Sequence, residues 1–175
     1  GLDPNSKKAD DLKKAADALA KIKPHIRKFH SSEYINALAN GDICLALGYS
    51  GDILQARKRA QEAGNGVEVA YAIPKEGALM WFDSFVIPAD AANKDGAYKL
   101  IDFLNRPEVA GKNAAFTQYA SGNLGAQKHV DAEVLKDPGV YPPAEGMGRL
   151  YTITPFDEKT QRLVNRLLTR VKTGQ

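Results

Sequence analysis

Short apolar runs closed by turn residues constrain this chain more than any other feature. Three of them, 43–48, 67–73 and 79–87, have strand length. Asn40-Gly41-Asp42 precedes the first, Pro74-Lys75-Glu76-Gly77 follows the second, and Pro88 stops the third. The first and third are apolar almost throughout, while Glu68 alternates outward in the second. The segment 152–156 is a fourth candidate for extended structure. Helical spacing fills the rest. Leu12, Ala15, Ala16, Leu19 and Ile22 recur on one face, behind Ser6 as a cap and with Asp10 and Asp11 in the first turn. A small helix is expected over 33–39, and another runs from near Asp52 to near Gly64. Ala97, Leu100, Ile101 and Leu104 share a face, a further helix restarts at Pro107, and Leu163, Val164, Leu167, Leu168 and Val171 mark the last one. Strands alternating with helices predict an α/β fold with covered sheets. Three or four strands are few for a complete doubly wound domain, and the chain opens without one, so it reads as a portion of something larger.

Several function classes are excluded early. The net charge over 175 residues is only +3. The basic residues are scattered and do not interleave with aromatics, which argues for solvated helix faces and against nucleic-acid binding. No apolar run approaches the roughly 20 residues of a membrane span. The opening Gly1-Leu2-Asp3-Pro4-Asn5 is polar and does not resemble a leader, as is also true of a mature secreted protein. The lone Cys44, inside an apolar run, is expected to be a small buried hydrophobe. His25, His30 and His129 have no metal-ligand spacing, and no cofactor is expected.

Chemistry concentrates around two aspartates. In the run 79–87, residues two apart share a strand face, so Trp81, Asp83 and Phe85 would point one way. A carboxylate between aromatics on a buried face is costly unless a cation meets it, either an internal Lys or Arg or a ligand. Asp52 follows the strand 43–48 at its carboxyl end, where α/β folds bind ligands, with Tyr49 and Ser50 in the same loop. Its plainer reading is an acidic residue in the first turn of a helix. Taken together, the two aspartates suit an amine: ammonium groups pair with carboxylates, and aromatic faces attract cations and cover methylenes. Tyr119 could add another wall. No nucleophile elbow, phosphate loop or dinucleotide fingerprint is present. A glycosidase-type acid pair, Asp52 with Asp83, is the competing chemistry.

Several segments then resemble the bacterial periplasmic polyamine-binding proteins. They are Phe29-His30-Ser31-Ser32, Ala39-Asn40-Gly41-Asp42-Ile43-Cys44, Gly48-Tyr49-Ser50-Gly51-Asp52, Ile73-Pro74-Lys75-Glu76-Gly77-Ala78, Trp81-Phe82-Asp83, Pro88-Ala89-Asp90, Asn105-Arg106-Pro107-Glu108-Val109 and Pro138-Gly139-Val140-Tyr141-Pro142-Pro143. Each is weak alone; their order and spacing make the match, which extends over nearly the whole chain. The resemblance is to the C-terminal half of a putrescine- or spermidine-binding protein of an ABC importer. It implies a two-lobed, type II periplasmic-binding-protein-like fold, present here as an incomplete portion. Residues 65–110 would belong to the first lobe, and 1–64 with 111–175 to the second. It places Tyr49, Asp52, Trp81, Asp83 and Tyr119 on ligand-binding positions and implies capture without catalysis, in the periplasm.

The chain departs from that family in three places. Tyr49 stands where putrescine binders usually carry tryptophan, which weakens cation–π contact and reshapes the site. The segment 120–125 fits poorly, and the family's N-terminal half has no counterpart. Cys44 could pair with a cysteine in that half. The expected partners are therefore a polyamine, the missing N-terminal half or a second copy of this chain, and the membrane subunits of an importer. Two other readings stand beside this one: an altered relative acting as a sensor or interaction domain, and a carbohydrate-processing enzyme.

Overall fold

A computed structural model describes residues 1–174. These residues form eight α-helices: α1 Ala9–Ile22, α2 Tyr34–Ala39, α3 Ser50–Ala63, α4 Lys94–Leu104, α5 Pro107–Thr117, α6 Ala132–Lys136, α7 Ala144–Met147 and α8 Glu158–Thr173. Two 3-10 turns, Lys23–His25 and Leu124–His129, and two short strands, β1 Ala78–Leu79 and β2 Leu150–Tyr151, complete the regular structure. It divides into two compact units. The smaller holds residues 1–30, 79–81 and 151–175; the larger holds 31–78 and 82–150.

In the smaller unit α1 packs on α8. Ala16 and Val171 are buried between flanking apolar side chains, and Arg170 reaches Asp17 at 2.6 Å. Ser6 does not cap α1 directly. It donates to Asp11 at 2.6 Å and leaves Lys8 at the cap position. Asp157 caps α8, accepting from the Thr160 N–H at 2.9 Å.

In the larger unit the core lies between α2 and α3. Tyr34, Leu38 and Ala39 meet Ile53, Ala56 and Ala60, which recur at helical spacing on one face of α3. The two alanines are essentially inaccessible, and their small size lets α2 approach closely. Gly64 ends α3 in the left-handed region (φ +59°), its N–H donating to the Ala60 and Gln61 carbonyls. Pro107 opens α5 as its first residue, as expected, and Asn93 caps α4 by accepting from the Gly96 N–H at 2.8 Å.

The strands are the main departure from the sequence reading. Among the described residues the only ladder is β1 with β2. The segments 43–48 and 67–73 run without strand hydrogen bonds, and 79–87 is a strand only at its first residue. Segment 67–73 keeps its expected alternation, with Val67, Val69 and Tyr71 on the α2–α3 core and Glu68 outside. Segment 43–48 is not a buried strand. Only Ile43 and Ala46 face the core, while Leu45 and Leu47 are 90% and 97% exposed. Cys44 is exposed as well, because the inward positions there are three apart, not two. Nor is 152–156 a strand. The Asn5 side chain meets its outer edge, donating to the Thr152 carbonyl at 2.9 Å and accepting from the Thr154 N–H at 2.8 Å. Residues 82–86 carry no ladder and are all exposed.

Candidate functional site

The turn after α2 builds the first part of the site. Gly41, at φ +78°, closes it, with N–H groups of Gly41 and Asp42 donating to the Leu38 and Ala37 carbonyls. The chain then returns along 43–49 to the head of α3. Tyr34, the first residue of α2, is 8% exposed, and its hydroxyl lies at the centre of the arrangement. It accepts from the Tyr49 N–H at 3.2 Å and donates to Asp52 Oδ2 at 2.6 Å. Asp52 stands in the first turn of α3, where the helix dipole favours a negative charge.

A second tyrosine reaches the same carboxylate from the other end of the larger unit's sequence. Gln118 ends α5 in the left-handed region (φ +61°) and turns the chain toward α3. Gln55 fastens this junction by donating to the Thr117 carbonyl at 3.4 Å. Tyr119 then donates to Asp52 Oδ1 at 3.0 Å. Two glycines make room. A Cβ on Gly48 would lie 2.7 Å from the Tyr34 ring, and one on Gly51 would overlap the Tyr119 ring. The segment 120–125 is well tied. Asn123 accepts from the Gly125 N–H at 2.9 Å and donates to the Asn105 carbonyl at 2.6 Å, starting the 3-10 turn that packs on α5.

The electrostatics follow from this geometry. Burial, reinforced by the hydrogen bond to Asp52, pushes the Tyr34 phenol up to about 12, although the Tyr49 N–H pulls the other way. Burial and the same carboxylate push Tyr119 up too. Both therefore remain donors at neutral pH. Asp52 receives two charge-assisted hydrogen bonds, one per oxygen, and no Lys or Arg pairs with it among the described residues. A carboxylate has about four lone-pair positions, so each oxygen keeps one for a further donor.

Of the residues singled out from sequence, Tyr49, Asp52 and Tyr119 meet at the head of α3. Trp81 belongs to the smaller unit, and Asp83 lies on the exposed segment after it, with no ion pair among the described residues. The expectation that 81, 83 and 85 share a buried strand face therefore fails, because the ladder ends at Leu79. Sequence reasoning missed Tyr34. Its signal was present: a phenol four residues before Leu38, on the apolar face of a short helix, needs a hydrogen-bond partner once buried. Two concavities in the larger unit lie elsewhere. One of about 290 Å³ is lined by Tyr71, Pro142, Pro143 and Arg149. The other, of about 540 Å³, is lined by residues of mixed charge such as Arg57, Lys58, Asp131 and Glu133. Neither touches Tyr34, Asp52 or Tyr119, so the chemistry of the head of α3, not cavity size, marks the site.

The head of α3 thus carries a half-buried carboxylate held by two phenol hydroxyls, on a helix-rich portion of an α/β fold. The chain belongs to the family of bacterial extracellular solute-binding proteins, whose pattern matches residues 1–142. Over its whole length it is 51% identical to the putrescine-binding periplasmic protein of Escherichia coli, and 45% identical to that of Pseudomonas aeruginosa, covering 48% of each. The chain thus spans about half the length of the curated relatives it matches. Among solved structures, it superposes with a TM-score of 0.73 on the spermidine/putrescine ABC transporter substrate-binding protein of Streptococcus pneumoniae. That match has 31% identity and covers 96% of this chain and 50% of that one. A chain from a spermidine/putrescine ABC transporter of Listeria monocytogenes gives a TM-score of 0.83 at 28% identity, over 98% of this chain and 51% of that one. The fold is accordingly that of part of a type II periplasmic binding protein.

Proposed function

We propose that this chain is the C-terminal part of a periplasmic polyamine-binding protein, which captures putrescine or spermidine and delivers it to the membrane subunits of an ABC importer. The observation that carries the reading is the Asp52 carboxylate, fixed by Tyr34 and Tyr119 and in no ion pair among the described residues. An ammonium group supplies both the charge and the donors that its remaining lone pairs accept. Tyr49 and Trp81 supply aromatic faces for the cation and methylenes, and Asp83 meets the second ammonium. Residues 65–110 contribute to the first lobe, and 1–64 with 111–175 to the second. The N-terminal half of the protein, or failing that a second copy of this chain, completes the clamp. Exposed Leu45, Leu47, Phe82 and Phe85 support such a covering partner.

Calorimetric titration with putrescine and spermidine tests the reading, on this chain alone and mixed with the N-terminal half of the Escherichia coli relative. Saturable binding is expected at least in the mixture, and Asp83→Asn should remove most of it while sparing the fold. Absence of binding in both settings would overturn the proposal and leave an altered relative that acts as a sensor or interaction domain. Turnover of a glycoside would instead favour the acid-pair reading of Asp52 and Asp83.

A further inference from the structure

We infer that Tyr34 is the positioning residue of the amine site: its hydroxyl bridges the Tyr49 backbone and Asp52 and fixes the carboxylate for an incoming ammonium. The inference rests on the polyamine-binding reading above and adds a residue that no sequence motif marks.

Three observations converge on it. First, the hydroxyl is directional. Because it accepts from the Tyr49 N–H at 3.2 Å, its own proton is left to point at Asp52 Oδ2, 2.6 Å away. Second, the ring cannot drift. It is buried against Leu38 and Ile53 in the α2–α3 core, and Gly48 lies so close that even a methyl group would touch it. Third, it acts with Tyr119, which holds the other oxygen at 3.0 Å. Two donors on opposite oxygens fix the carboxylate's rotation about its last bond, so one lone pair of each oxygen stays turned outward. Holding the acceptor in place before the ligand arrives reduces the ordering cost of binding. The phenol's raised pKa keeps the proton on Tyr34 throughout the range in which amines are charged.

Tyr34→Phe keeps the ring and removes only the hydroxyl. Putrescine titration, in whichever setting the native chain binds, should show affinity about tenfold weaker, equivalent to about 1.4 kcal/mol. The decisive comparison is a double-mutant cycle with Asp52→Asn. If Tyr34 acts through Asp52, the double variant binds no more weakly than Asp52→Asn alone; a merely structural tyrosine would weaken both backgrounds equally and overturn the inference. Ultraviolet titration of the tyrosines, without ligand, supplies a second readout. Asp52→Asn should lower the highest-titrating phenols, while burial keeps them above the ordinary tyrosine value. An unchanged titration would show that the hydrogen bonds do not form. If the native chain binds putrescine and Tyr34→Phe binds equally well, this inference alone falls. If the native chain binds no polyamine in either setting, the functional proposal falls and takes the inference with it.

Discussion

Asp52 and Asp83 look alike in the sequence, each a carboxylate among aromatic residues, yet the fold treats them in opposite ways. Asp52 sits where three separate stretches meet: α2 supplies Tyr34, the loop before α3 supplies Tyr49, and the turn after α5 supplies Tyr119. Asp83 lies on 82–86, where every residue is exposed and no ladder forms. The difference comes from locality. The α2–turn–α3 unit closes within 30 residues, from Tyr34 to Ala63, so its contacts need little loop-closure entropy. The segment 79–87 depends on pairing with a distant strand, and that pairing stops at Met80, whose N–H donates to the Tyr151 carbonyl at 2.8 Å. The local α2–α3 packing places Tyr34 beside Asp52, and the turn after α5 adds Tyr119 from 67 residues away, whereas no such packing surrounds Asp83.

Core substitutions break this comparison most sharply. Leu54, 3% exposed on α3, should lose about 2–5 kcal/mol on replacement by alanine. Phe85, 63% exposed, should change stability by less than about 0.5 kcal/mol when treated the same way. Urea denaturation midpoints give both values. Comparable losses would mean that 82–86 is covered in solution, and the contrast drawn here would be wrong. Next in size is Gly51→Ala. Its methyl group would overlap the Tyr119 ring, so the ring must move off Asp52, at a cost of about 1–3 kcal/mol and with the Tyr119 phenol returning toward its ordinary pKa. Stability close to that of the native chain, with the phenol still shifted, would show that the turn at Gln118 yields more easily than its geometry suggests.

The two aspartates can also be compared directly. Asp52→Asn replaces a charged acceptor of two hydroxyls by a neutral one and should destabilise the chain by about 1–2 kcal/mol. Asp83→Asn should leave the urea midpoint within about 0.5 kcal/mol of the native value, because nothing in the fold depends on that charge. Equal losses would place Asp83 in a structural role.

Most helices were legible in the sequence, and few strands were. The spacing of Ala97, Leu100, Ile101 and Leu104, the proline at 107 and the apolar stripe of 163–171 all report local geometry, which a helix satisfies with its own backbone. Strand runs report only that a residue suits a sheet; whether a ladder forms is decided by distant residues. Thus the alternation of Val67, Val69 and Tyr71 was right about the buried face and wrong about the hydrogen bonds. Asp52 stood out because it follows an apolar run at the end where α/β folds bind ligands, and Tyr119 because aromatic residues suit cations. Tyr34 did not stand out, since its place on the apolar face of a short helix signals only that it needs a partner, and that partner lies 18 residues away.

Asp137 shows what a carboxylate looks like when the chain provides its cation, and it carries the smallest expected effect. Arg57 on α3 reaches it at 2.7 Å, and the Gly139 N–H donates to its other oxygen at 2.8 Å. Burial pushes this carboxyl up, but the guanidinium and the N–H more than offset that, and its pKa falls below the usual carboxylate value. The sign follows from proton linkage. A depressed folded-state pKa favours the fold above the unfolded value, near 3.9 for an aspartate, and that contribution fades as pH drops through the folded value. Asp137→Asn should therefore lower stability at neutral pH by no more than about 1 kcal/mol, since both partners remain partly exposed. The gap between native and variant should close on acidification below about pH 4. Urea midpoints between pH 7 and pH 3 measure it. A gap that does not narrow at all between pH 4 and pH 3 would mean that Arg57 contributes through packing and not through charge, and would remove Asp137 as the paired counterpart of Asp52.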